Sequence, residues 1–227
     1  MRDTFFYHLL SKHPHVGPAA FKEVHCFDLL WEEGVEWYRQ CFLPVFSAPE
    51  QRDGRWTITG DETPSYLFHP LAAERMSGVI PQARLIALLR NPVDSSYSAY
   101  HHRAKHKDEM ETFEESVRTT LASPKQGFLF QSIYVDHLLR WRKFFGGAQM
   151  LVLKSEDFFG YPRETLKTTL RFLDLPDWKP GAANLGEKVN KGKYDRGMSP
   201  EVRRQPEEFF EPHNQRLYEH LGVDFGW

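Results

Sequence analysis

The chain has 227 residues, 41% of them hydrophobic, which is enough for one substantial α/β core and too little to expect two. Its formal net charge is −2, so no global basic field points to nucleic acid or an anionic membrane, and any anion site must be local. Cys26 and Cys41 are too few for a disulfide framework, and no run approaches the ~18 apolar residues of a membrane span.

In chain order, residues 3–12 read as a helix that stops at His13-Pro14. "EVHCF" (23–27) reads as a short strand, and 32–42 as a helix carrying Val35, Tyr38 and Phe42 on one face. "RWTITG" (55–60) alternates like a strand and runs into "GDETPSYLFHP"; 71–79 reads as helical. The aliphatic run 84–89 suits a strand covered on both faces. Thr112-Phe113-Glu114-Glu115 has capping-box spacing, and 134–145 predicts a strongly amphipathic helix. A strand over 148–158 ends in polar residues, and 161–176 is a helix with Leu166, Leu170 and Leu173 on one face. Ser199-Pro200 opens a C-terminal helix, which Pro212 should kink and Gly222 should end. Strands alternating with helices point to the α/β class, with a three-layer parallel sheet flanked by helices, as a single domain over 1–227. The start, "MRDTFFYHLLSKHP", turns polar too soon for a signal peptide, so a soluble, cytoplasmic protein is expected if Met1 is the true start.

Chemistry enters at Arg90-Asn91-Pro92, where the apolar run ends in a permanent cation. Pro92 fits the first turn of a helix, and a strand feeding a helix through a tight turn exposes backbone N–H groups that bind anions. Arg90 at that edge has the planar fork for a phosphate or carboxylate, and Ser98 within the helix offers a hydroxyl donor. Two readings stand: Arg90 holds a ligand anion, or it caps a carboxylate from a neighbouring loop. No GxxxxGK[ST] or GxGxxG is present, so a familiar glycine loop for nucleotides is unsupported. His101, His102 and His106 lack the Glu that an HExxH site requires and lie among lysines, so no metal is expected and the segment reads as a solvated basic face. Strand alternation would put Glu23 and His25, flanked by Lys22 and Asp28, on one side, as a general base with an imidazole to orient it, or simply as an edge ion pair. "NKGKYDRG" (190–197) is a cationic, glycine-bearing loop that can wrap a phosphate through Lys191, Gly192 and Lys193.

Together "KEVHCFD", "GDETPSYLFHP", "LIALLRNPVDSSYSAY", "YVDHLLRWRKFF…MLVLKSEDF" and "NKGKYDRG" resemble, in order and spacing, the sulfotransferases that use 3′-phosphoadenosine-5′-phosphosulfate. The resemblance is to the heparan-sulfate type and its bacterial relatives, from about Tyr7 to Trp227. It implies a P-loop NTPase-like sulfotransferase fold and transfer of a sulfuryl group to a hydroxyl or amine, on a glycan or small acceptor, without a metal. It implies Glu23 as the base with His25 beside it, Asp28 and Lys22 toward the acceptor, and Arg90 and Ser98 on the donor's 3′-phosphate. Lys191, Gly192 and Lys193 match the late loop that closes over the same nucleotide.

Two departures from the family's pattern are visible. The family's phosphosulfate loop, K-x-G-T-T, aligns only at Thr4, so its lysine and the first strand would lie upstream of Met1; a chain with its first strand missing is expected. Glu62 also stands where the heparan-sulfate enzymes tend to have a lysine. These departures keep a second function open, a catalytically inactive remnant that binds nucleotide or glycan. A P-loop kinase would share the topology but lacks its phosphate lysine and magnesium signals here.

Overall fold

The computed structural model describes residues 2–42, 58–104, 111–122, 128–181 and 198–227. In chain order these form α1 (Arg2–Leu10), β1 (Val16–Pro18), α2 (Gly34–Gln40), β2 (Ile58–Gly60), α3 (Ala72–Val79), β3 (Leu85–Leu89) and α4 (Pro92–Ala104). They continue with α5 (Phe113–Ala122), α6 (Tyr134–Trp141), β4 (Met150–Lys154), α7 (Ser155–Gly160), α8 (Pro162–Phe172) and α9 (Pro200–Leu221). The fold is mixed α/β with parallel strand pairing: Val16–Pro18 runs parallel to Ile58–Gly60, and β3 pairs with β4. The contacts divide the chain into two compact units, one made of 1–88 and 141–190, the other of 89–140 and 191–227.

In the first unit, Phe6 and Leu9 of α1 pack with Phe158, Leu166 and Leu170, and half-buried Ile86, Leu88 and Leu153 of the strands close over them. The Phe6 ring meets Phe158 edge-on at 5.1 Å. Leu166 and Leu170 are buried as the helical spacing requires, whereas Leu173 only caps α8. A second cluster sets Phe27 between Tyr38 (4.8 Å, tilted) and Tyr66 (5.5 Å, edge-on), with Tyr38 edge-on to Phe42. This aromatic plug underlies the loop described below.

The second unit is helical. Phe113 of α5 sits against Tyr97 of α4 and Phe128, and Phe210 and Leu217 of α9 are fully buried. The predicted capping box forms in full: Thr112 N–H donates to Glu115 Oε2 at 2.7 Å, and Glu115 N–H donates to Thr112 Oγ1 at 3.3 Å. Ser199 Oγ accepts from Val202 N–H, Pro200 opens α9, and Gly222 ends it in the left-handed conformation at φ 68°. The helix assignment runs unbroken through Pro206 and Pro212.

Several sequence expectations are corrected. Residues 23–27 are not a strand, because Glu23 and His25 both adopt φ 56°, which extended backbone does not permit. The strand at 148–158 stops at Lys154, and Ser155-Glu156-Asp157 instead begin α7. Polar residues suit a helix's first turn as well as a strand's end, and carboxylates there complement its dipole. The helix expected over 134–145 ends at Trp141, whose indole N–H donates to the Leu67 carbonyl at 3.1 Å. Strand β3 is half-buried over Leu85–Leu88 and fully buried only at Leu89, so it is less covered than its aliphatic run suggests. Of the 55–60 strand, the described part is Ile58–Gly60. Among the described residues no helix is long and apolar enough to cross a membrane.

Candidate active site

Glu23, His25 and Asp28 come together in the loop that follows β1, though not by strand alternation. Two non-glycine residues in the left-handed region, each costing about 1–3 kcal/mol, persist only where the surroundings hold them. Here the holding is done by 61–66. Val24 N–H donates to Asp61 Oδ1 (3.4 Å), His25 N–H to Thr63 Oγ1 (3.4 Å) and Phe27 N–H to Tyr66 OH (3.4 Å). Arg75 Nη1 donates to the carbonyls of Phe27 and Asp28, both at 3.1 Å, with its guanidinium 5.1 Å above the Trp31 ring. Val24, Cys26 and Phe27 are driven inward, and Glu23 and His25 are left facing outward, both partly exposed.

The two carboxylates of this loop have different tasks. The Asp28 side chain is only 2% exposed and is fully engaged: Oδ2 accepts from Ser65 Oγ (2.5 Å), Oδ1 from Leu29 N–H (2.7 Å), and His25 Nδ1 lies 3.1 Å from both oxygens. Burial raises its carboxyl, but Ser65, the Leu29 N–H and His25 outweigh this and leave it below its ordinary value. His25 Nδ1 faces the Asp28 carboxylate, and Nε2 lies 3.5 Å from Glu23 Oε2, a contact that is attractive only when Nε2 carries a proton. Glu23 is 39% exposed and is therefore the carboxylate that can meet an acceptor. Burial also raises its carboxyl, yet Lys22 Nζ at 2.8 Å, followed by His25, brings it below the usual value. Lys22 Nζ also lies 3.7 Å from Glu62 Oε2, and the two carboxylates raise the Lys22 ammonium against its own desolvation.

Sequence reading singled out Glu23, His25, Lys22 and Asp28 but missed the residues that support them: Asp61, Thr63, Ser65, Tyr66 and Arg75. The available signal was the polar alternation Asp61-x-Thr63-x-Ser65 just past a strand. Asp61 is buried enough to push its carboxyl up, although Tyr66 OH and Thr63 Oγ1 both donate to it at 2.8 Å. Tyr66→Phe removes that donor and the acceptor for Phe27 N–H; a loss of about 1–3 kcal/mol is expected, read as a lower urea midpoint. An unchanged midpoint would show that the loop does not depend on this clamp.

In the second unit, Asn91 caps α4. Its Oδ1 accepts from Val93 N–H (3.0 Å) and Asp94 N–H (3.2 Å), so the backbone donors expected to face an anion are already partly used. Arg90 follows β3 and is half-buried; its Nη2 lies 3.8 Å from Asp94 Oδ2, longer than a hydrogen bond, while Arg203 Nη1 takes Asp94 Oδ1 at 2.6 Å. Among the described residues Arg90 Nε is buried without a hydrogen-bond partner. The carboxylate near Arg90 is thus Asp94 of the helix that follows it, not one from a neighbouring loop. Ser98 lies one turn beyond Asp94 on α4 and is half-buried. Thr4 lies in α1, and Lys191, Gly192 and Lys193 lie outside the described residues. Among the described residues no group of three or more His, Cys, Asp or Glu side chains could hold a metal ion.

The carboxylate–imidazole loop belongs to the first unit and the strand-end arginine to the second. The sulfotransferase domain family matches residues 4–212, and the chain belongs to that family. It is 30% identical over 244 aligned positions to human heparan sulfate glucosamine 3-O-sulfotransferase 3B1, covering 96% of this chain and 60% of that protein. It is 27% identical to the bifunctional heparan sulfate N-deacetylase/N-sulfotransferase 1 of Caenorhabditis elegans, covering 93% of this chain and 27% of that protein. The chain therefore spans less than two thirds of either relative. A crystal structure of a sulfotransferase from Alicyclobacillus acidocaldarius superposes with a TM-score of 0.76 at 25% identity, over 98% of this chain and 92% of that one.

Proposed function

We propose that this chain transfers a sulfuryl group from 3′-phosphoadenosine-5′-phosphosulfate to a hydroxyl or amine, with a glycan as the acceptor class. The observation that carries the reading is the Glu23–His25–Asp28 chain, in which the exposed carboxylate is oriented by an imidazole that a buried carboxylate locks. Sulfuryl transfer needs little covalent chemistry from the protein, in the manner of phosphoryl transfer: a base on the acceptor and cations around the leaving phosphate. The acceptor oxygen or nitrogen gives its proton to Glu23 as its bond to sulfur forms. The bond from sulfur to the bridging oxygen breaks, and adenosine 3′,5′-bisphosphate departs. Asp28 holds the His25 ring through Nδ1, and Lys22 favours the ionised form of Glu23. Family membership and the names of the relatives support the donor and acceptor classes.

The residues present fit the nucleotide at Arg90. A buried guanidinium Nε without a partner is a costly arrangement that a phosphate oxygen would relieve. Ser98 adds a hydroxyl on the helix that follows Arg90, and the family resemblance assigns Lys191, Gly192 and Lys193, which lie outside the described residues, to the same nucleotide. Removing such a charge-assisted contact costs ~1.5–3 kcal/mol, so Arg90→Ala should weaken adenosine 3′,5′-bisphosphate binding by roughly 10- to 100-fold in calorimetry. Equal binding by the two proteins, or none by the wild type at millimolar nucleotide, would remove the basis for this assignment.

A further inference from the structure

The surroundings of Glu23 carry more information than the base itself, because they determine what can approach it. The basic side chains that the described contacts bring to this loop are Lys22, His25 and Arg75, and each already has an acidic or carbonyl partner. Arg75 is turned into the backbone of Phe27 and Asp28, and His25 lies between Asp28 and Glu23. Lys22 stands between Glu23 at 2.8 Å and Glu62 at 3.7 Å, and the Glu62 side chain is only 12% exposed. Against these basic groups stand Glu23, Asp28, Asp61 and Glu62. Among the described residues, an acceptor that brings a carboxylate or sulfate close to its reacting hydroxyl therefore meets an excess of carboxylates around Lys22.

A second observation comes from the apolar side chains beside the same loop. Phe21, next to Lys22, is 46% exposed and lies 6.1 Å from the Trp37 ring. Leu29, next to Asp28, is 73% exposed, and Leu30 is drawn under His25 by its N–H bond to the His25 carbonyl at 2.8 Å. Exposed leucines and a phenylalanine in the same loop as Glu23 suit the apolar face of a sugar ring or an aryl group.

We infer that Glu62 is a specificity-determining residue that neutralises Lys22, so that the acceptor is an uncharged hydroxyl compound with an apolar face rather than a polyanionic glycan. This rests on the sulfotransferase reading and narrows its acceptor. A neutral glycan and a small phenol share the required chemistry. The geometry also separates the role of Glu62 from that of the base: it acts through Lys22 and does not accept the proton.

The test measures kcat and KM for three acceptors: a neutral chitin tetrasaccharide, 4-nitrophenol, and a carboxylated, unsulfated glucuronate-containing tetrasaccharide. The wild type should favour one or both neutral acceptors by about tenfold or more in KM, and the better of the two identifies the source. Glu62→Lys, which frees Lys22 and adds a cation, should lower KM for the carboxylated tetrasaccharide by roughly tenfold with kcat little changed, and Glu62→Gln should do so by less. A wild type that favours the carboxylated acceptor, or a Glu62→Lys protein with an unchanged order, overturns the inference. The same ranking is read without turnover, by saturation-transfer NMR of each acceptor with wild type. A ranking there without transfer to any acceptor counts against the sulfotransferase reading and supports the preference. No ranking in either measurement overturns the preference itself.

Discussion

Glu23→Gln is expected to lower kcat by about 10²–10⁴-fold on every acceptor the protein uses, while nucleotide binding stays unchanged. The substitution keeps the side chain's shape and its hydrogen bond to Lys22 and removes only the basicity. Glu23 rather than Asp28 carries this expectation because its side chain is 39% exposed and that of Asp28 is 2% exposed and filled by Ser65, Leu29 N–H and His25. The pH profile gives an independent reading. Lys22 and His25 outweigh burial and hold the Glu23 carboxyl below its ordinary value, so activity should be retained through the neutral range and lost only in acid, below the usual carboxylate range. An acid limb near neutrality would tell against a carboxylate base. A Glu23→Gln protein that matches its parent on every acceptor would end the assignment outright.

The parts of this molecule that were readable in advance are those whose cause is local. The Thr112–Glu115 box, the Ser199-Pro200 start and the Gly222 stop each depend on residues within one turn, and each forms as its residue types require. The aliphatic run before Arg90 is a strand, and Pro92 does open a helix. The loop at 23–28 was not readable, because its conformation depends on partners far along the chain. Nothing in "EVHCF" shows that Asp61 and Thr63 will hold Val24 and His25 by their backbone N–H groups, or that Tyr66 will reach Phe27. Strand alternation therefore placed Glu23 and His25 on one side for the wrong reason. They meet because two left-handed residues bracket a buried Val24. At Arg90 the cation was legible from the end of the apolar run, whereas Asn91 as the cap that occupies two helix N–H groups was not weighed. At 155–157 the composition suited two structures equally, and helix α7 formed because Phe158 had to reach the cluster with Phe6.

Stability should fall by about 3 kcal/mol between neutral pH and pH 4 through a single residue that has no part in the proposed chemistry, His137. Its ring is 2% exposed on α6, with Nε2–H donating to the Phe130 carbonyl at 3.0 Å and Nδ1 accepting from Arg140 Nη2 at 3.3 Å. Both ring nitrogens are occupied in the neutral form, and a second proton on Nδ1 would face a guanidinium inside the protein. Burial first, and the Arg140 charge second, push the imidazole from 6.5 down to about 4, against the pull of the Phe130 carbonyl and Asp136. The sign follows from which state takes the proton. Below its ordinary value of 6.5 the unfolded chain protonates His137 while the folded chain refuses, so stability declines as pH falls from 6.5 to about 4. Burial lowers His13 and His213 as well, which adds to the decline, while the raised Asp61 carboxyl opposes it. His137→Gln isolates the contribution, because glutamine keeps a donor for Phe130 and has no proton to gain. The variant should be less stable than the wild type at about pH 7.5, but its urea midpoint should change less on going to about pH 5, where the His137 contribution amounts to about 2 kcal/mol. If both proteins lose the same stability over that interval, His137 is not the group that the acid state must charge.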